Sequence, residues 1–206
     1  MSKQASELTE ESNKNSRIVP RAFAGIDFEN HSYGSYRLPA GTRIDLRLNG
    51  GKLYYAPDED RGWFAFKDAY YADVTGDGAP EAIVILWHVQ CGGSCDGGAA
   101  LVYIFAARKH GLQRIWRYET GSYGYGCGLK SLTVENKQIV LETFGRCPKQ
   151  AMEDPGFGKF NVEDETRSVF RFNGRRVVRS ELKFLSTPAR DVKNYEPGSL
   201  RSVFVS

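Results

Sequence analysis

Long apolar runs are missing from this chain: no stretch in its 206 residues approaches the roughly 18 hydrophobic residues that a membrane-spanning helix needs. Methionine is scarce, two residues against 22 glycines, a ratio that suits tight turns better than long helices. Beyond residues 4–15, no stretch of more than ten residues keeps a 3.6-residue hydrophobic period, which argues against a helical fold. Charge of one sign is lacking as well. Lys and Arg total 28 against 25 Asp and Glu, a formal +3, too small to argue for a polyanionic partner. The balance is uneven, +6 over residues 166–206 and −3 over the rest. No nucleic-acid recognition motif accompanies that basic end, and charged strand faces account for it.

What is present is enough to bury a core, with 41% hydrophobic and 13% aromatic residues. Residues 1–22 are polar and nearly free of large apolar side chains, and are expected to be a disordered tail or linker without the apolar segment of a secretory signal. From Phe23 onward short alternating runs are punctuated by Gly, Asn and Asp, which predicts strands and hairpins. Turns are expected at Asn49-Gly50-Gly51, His110-Gly111, Asn136-Lys137 and Asn173-Gly174. The His110-Gly111 turn places Phe105 opposite Trp116 and Tyr103 opposite Tyr118; the Asn136-Lys137 turn places Val134 opposite Ile139 and Leu132 opposite Leu141. Residues 82–89 are continuous enough in Ile, Val, Leu and Trp to be a central strand. The expected fold is all-β: an antiparallel meander of about ten strands, closing as a sandwich or partly open barrel, in one domain over 23–185 with a C-terminal extension over 186–206.

The sharpest local signal is Asp73-Val74-Thr75-Gly76-Asp77-Gly78-Ala79-Pro80-Glu81, between two strand candidates. Calcium takes six to eight hard oxygens, and a tight loop supplies them from positions 1, 3, 5, 7 and 9 with glycine at 6 for the sharp turn. Asp73, Thr75, Asp77 and Glu81, with the Ala79 carbonyl, hold those positions; Thr75 brings no charge. The competing reading is an Asx-type turn joining two strands.

This segment resembles the calcium loops of FG-GAP and VCBS-type repeats. More widely, residues 26–185 resemble a bacterial extracytoplasmic domain of uncharacterised function carrying one such loop. The resemblance implies a secreted, periplasmic or lipoprotein-anchored β-domain and no reaction. One motif without internal repeats does not make a propeller.

Four cysteines permit three connectivities. In the Asn136-Lys137 register Cys127 and Cys147 fall one residue from direct opposition, so a small bulge would bring them within bridging distance, leaving Cys91 to Cys95. A zinc site is the rival, but Cys-x3-Cys with a second pair twenty residues apart is not a knuckle. Disulfides are expected, and with them an oxidising compartment.

Catalytic constellations are thin. His31, His88 and His110 are scattered, with His88 in an apolar strand where a hydrogen-bonded structural histidine is the common case. Tyr123 and Tyr125 lie on a Gly-rich loop where exposed rings could stack on a sugar or dock a protein. The sequence therefore predicts a non-catalytic extracytoplasmic binding or structural module with a calcium-stabilised loop, its partner a protein or a carbohydrate. The alternative is a cell-envelope hydrolase with a site near loops 91–96 and 148–164.

Overall fold

A computed structural model describes residues 16–38, 40–56, 61–91, 95, 98–121, 127–145 and 164–186. Among these described residues the expected all-β antiparallel fold forms, with eleven strands in three sheets. Strands β1 (Ser32–Arg37) and β2 (Arg43–Arg47) make a hairpin. Strands β3 (Lys52–Tyr55), β4 (Gly62–Ala72), β5 (Glu81–Gln90), β6 (Gly98–Arg108) and β7 (Gly111–Glu119) make a five-stranded meander in chain order. Strands β8 (Leu129–Glu135), β9 (Gln138–Phe144), β10 (Asp164–Phe172) and β11 (Val177–Ser186) make the third sheet.

The five-stranded sheet is apolar on both faces, and each face has its own core. On one, Phe64, Leu86, Leu101, Tyr103 and Phe105 meet Tyr33, Tyr36 and Leu46 of the β1–β2 hairpin, together with Phe23 and Phe28 from two 3₁₀ turns, Arg21–Phe23 and Phe28–Asn30. On the other, Ile83, Ile85, Val102 and Ile104 meet Leu132, Val134, Ile139, Leu141 and Phe170 of the four-stranded sheet. Successive side chains of a strand point to opposite faces, so β5 and β6 supply both cores by alternation. Along β5 the residues from Glu81 to Leu86 are all buried. That is why 82–89 reads as an unbroken apolar run rather than an alternating one.

Turn chemistry sets the registers. Gly50 and Gly51 take φ of 58° and 78°, and Asn136 and Lys137 take 49° and 63°, the left-handed pair that a two-residue hairpin needs. In the second hairpin Leu132 does pair with Leu141 and Val134 with Ile139. The β6–β7 register departs from the one expected. The closing pair is Arg108 with Gly111, so the turn is Lys109-His110, and a bulge follows between Ile104 and Phe105. Ile104 therefore pairs with Trp116 and Val102 with Tyr118. A slip of one residue moves a side chain to the other face. Trp116 and Tyr118 accordingly pack on Phe170 in the second core, at 4.9 and 5.2 Å between ring centres, while Tyr103 packs on Tyr33 in the first, at 5.0 Å.

Residues 1–15 lie outside the described residues, as do 187–206. Of residues 16–22, expected as the end of a tail, the first two are held to β4: Ser16 and Tyr71 exchange backbone hydrogen bonds of 3.1 and 2.8 Å, and Arg17 pairs with Asp68 at 2.8 Å.

Candidate functional site

The Asp73–Glu81 loop is built by its own oxygen atoms. Asp73 accepts from the amides of Gly76 at 2.6 Å and Gly78 at 3.1 Å, and Asp77 accepts from the Ala79 amide at 2.9 Å. Gly76 and Gly78, at φ of 80° and 86°, make the reversals that bring those amides round. Glu81 opens β5 and is turned inward, 1% exposed. It accepts from the Val74 and Thr75 amides at 2.8 and 3.1 Å and from the Thr75 hydroxyl at 3.0 Å. Burial raises its carboxyl above the usual range, against the opposing effect of those bonds. Lys137, on the β8–β9 turn, donates to the Gly76 carbonyl at 3.3 Å and stands 3.9 Å from Asp73.

This geometry bears on calcium. An ion would need Thr75 and Glu81 to turn their oxygens toward Asp73, Asp77 and the Ala79 carbonyl, whereas here Thr75 and Glu81 satisfy each other and the backbone. Among the described residues no group of three or more His, Cys, Asp or Glu is gathered in one place. In this arrangement the carboxylates pin a turn.

The most concentrated polar chemistry lies elsewhere, and no motif announces it. His88, on β5, projects into the first core at 5% exposure. Its ring stacks on Phe64, 4.2 Å between centres and 10° between planes. Its Nε2 lies 2.7 Å from the Tyr55 hydroxyl and its Nδ1 lies 3.2 Å from that of Tyr36. Tyr36 in turn donates to Glu119 Oε1 at 2.6 Å. Arg117 donates to Glu119 Oε2 at 3.2 Å and lies 4.8 Å from the centre of the Tyr36 ring.

Proton counting orients this chain. A tyrosine has one hydroxyl hydrogen, and Tyr36 gives it to Glu119, so its oxygen can only accept from His88; Nδ1 therefore carries a proton. At Nε2 the Tyr55 hydroxyl donates to a neutral ring or accepts from a charged one, so both charge states of His88 are satisfied. Burial alone would raise the Glu119 carboxyl, but His88, the Tyr36 hydroxyl and Arg117 outweigh it and hold that carboxyl below its ordinary value. Burial, with Glu119 adding to it, drives the Tyr36 phenol well above its ordinary value, so it remains protonated and able to donate.

Four strands from two sheets meet here, and close approach is enforced by glycine. A Cβ on Gly62, at the start of β4, would collide with the Val89 carbonyl and come within 2.5 Å of the Tyr55 hydroxyl.

The three described cysteines are disulfide-bonded. Cys91 and Cys95 form a disulfide, and Cys127 is also disulfide-bonded; its expected partner, Cys147, lies outside the described residues. A bulge occurs on β8 between Leu129 and Ser131, and the Cys127 amide donates to the Phe144 carbonyl at 2.7 Å. Tyr123 and Tyr125 lie outside the described residues, as do 92–94, 96–97 and 146–163. Among the described residues the exposed aromatics are Tyr54, at 69%, beside Trp63 with 6.4 Å between ring centres, and Phe184, at 48%.

The basic end is partly neutralised. Arg167 pairs with Glu135 at 3.3 Å and with Glu142 at 3.5 Å, and Lys183 with Glu181 at 2.5 Å. No helix of the described residues is long and apolar enough to cross a membrane. Compared with protein-family models, curated proteins and solved structures, the chain matches none.

Two outcomes follow. Tyr36→Phe leaves the His88 Nδ1–H without its acceptor and Glu119 without its best donor, and is expected to lower unfolding free energy by about 1–3 kcal/mol at neutral pH. Because the folded Glu119 pKa lies below the unfolded one, its contribution is full above the unfolded value of about 4.3 and fades as pH falls through the folded value. Urea unfolding should therefore show the gap between wild type and variant narrowing below about pH 4, and a gap independent of pH would remove Glu119 from the account. For the Asp73–Glu81 loop, equal melting temperatures in millimolar calcium and in EDTA are expected. A rise with calcium that Asp77→Ala abolishes would instead place an ion there.

Proposed function

We propose that this chain is a non-catalytic extracytoplasmic binding or structural module. The observation that carries the reading is that a titratable cluster spends its polar atoms within the fold, with the Glu119 side chain 35% exposed at its edge. In the Tyr55–His88–Tyr36–Glu119–Arg117 chain both ring nitrogens of His88 and both carboxylate oxygens of Glu119 have partners within the fold. A general base must reach a substrate proton. His88 is 5% exposed, stacked on Phe64 and occupied at both nitrogens, an arrangement that ties sheets together instead.

The oxidised cysteines support the extracytoplasmic part, since disulfides persist in oxidising compartments. The resemblance of the Asp73–Glu81 loop to extracellular calcium loops points the same way.

The test is a panel of chromogenic esters, phosphoesters and glycosides offered to wild type, His88→Gln and Glu119→Gln. No turnover that depends on either side chain is expected. Turnover lost in a variant that keeps its β-sheet circular dichroism would make this cluster an active site and overturn the reading.

A further inference from the structure

Strand β11 ends its sheet: the order β11-β10-β9-β8 leaves no strand on its far side among the described residues. In an antiparallel strand every second residue turns its amide and carbonyl away from a given neighbour, and β11 is ten residues long. An open edge of that length is a template for another strand. Phe184 and Leu185, exposed at 48% and 38%, lie on it.

The register with β10 sorts the side chains of β11. Leu182 pairs with Ser168 and Phe184 with Thr166, on the face that Phe170 turns to the second core. Glu181 pairs with Val169 and Lys183 with Arg167 on the opposite face. There Arg167 is committed to Glu135 and Glu142, and Lys183 pairs with Glu181 at 2.5 Å, the two side chains 64% and 42% exposed. Ser180 is the extra residue of the bulge, its hydroxyl donating to the Val169 carbonyl at 3.2 Å.

A strand that joins its own copy in a continuous antiparallel sheet does so about a two-fold axis, so one residue stands opposite itself. Charge selects which. Centred on Glu181, the pairing opposes glutamate to glutamate and Arg179 to Lys183; centred on Lys183, it opposes lysine to lysine. Like charges directly opposite are destabilising. Centred on Phe184, it sets Lys183 against Leu185 and brings no opposite charges together. Centred on Leu182, it sets Glu181 against Lys183 twice and Leu182 against Leu182, with each Phe184 diagonal to the Leu182 of the second copy. A lone edge lysine guards against such pairing, but here Glu181, two residues away on the same face, turns that guard into a complement.

We propose that β11 is a self-association edge, on which a second copy of this chain adds antiparallel with Leu182 at the two-fold axis, joining two four-stranded sheets into one. The ladder runs from Ser180 to Phe184 of each copy and stops at the bulge. The inference goes beyond the module reading and does not rest on it.

The test is sedimentation equilibrium of the full chain over a concentration series. Wild type is expected to pass from monomer to dimer as concentration rises. Lys183→Glu and Glu181→Lys should each weaken the dimer about tenfold or more. The double exchange should restore it, and an equimolar mixture of the two single variants should form a heterodimer, since one then brings two lysines and the other two glutamates. Register is read by oxidation: Leu182→Cys should yield a covalent dimer, and Phe184→Cys should not, because its copy lies four residues along the ladder, too far to bridge. A chain that stays monomeric up to about 1 mM overturns the proposal and leaves the edge to its own C-terminal segment or to another partner. A dimer unchanged by both single reversals, or a mixture that associates no better than its components, overturns it as well.

Discussion

Burial of the β5–β6 ribbon on both faces is the constraint on which the rest of this structure depends. A strand pair with one wet face can be completed by a single covering layer, but Ile83, Ile85, Val102 and Ile104 on one side and Val84, Leu86, Leu101 and Tyr103 on the other all lie at 5% exposure or less. Each face must therefore be covered by something else. The β1–β2 hairpin and the 3₁₀ turns cover one, and the four-stranded sheet covers the other. These covering elements also place loops and turns: Lys137 reaches the Asp73 loop from the third sheet, and Phe28 and Glu29 of the Phe28–Asn30 turn line a cleft against β4.

The same constraint explains the His88 cluster. Alternation along β5 assigns position 88 to the first core, and a histidine there must have partners or cost several kcal/mol of desolvation. Those partners come from three other strands: Tyr36 on β1, Tyr55 on β3 and Glu119 on β7. A polar network that spans sheets specifies their relative placement more sharply than apolar contact does, because hydrogen bonds fail within a fraction of an ångström.

Much of this was legible in the sequence, and the misses have physical causes. The central strand, the Asn49-Gly50-Gly51 and Asn136-Lys137 turns and the all-β class follow from local pattern. Strand β1 does not, because Gly34 at φ of 86° sits in an irregular register between Ser32 and Ser35; Tyr33 and Tyr36, three apart, both face the core and break the period of two. The β6–β7 pairing was missed because one bulge shifts it, and a bulge leaves little trace in composition. Tyr36, Tyr55, His88 and Glu119 are scattered over 83 positions, so only three-dimensional pairing brings them together.

The central claim, that one ribbon divides two separate cores, is most directly tested by a double-mutant cycle on β6. Leu101 and Ile104 are fully buried three residues apart on the same strand but belong to opposite clusters. Leu101→Ala and Ile104→Ala should each cost about 2–5 kcal/mol by urea unfolding, and the double variant should cost their sum within about 0.5 kcal/mol. A coupling well above that, or either substitution proving nearly neutral, would contradict the two-core account.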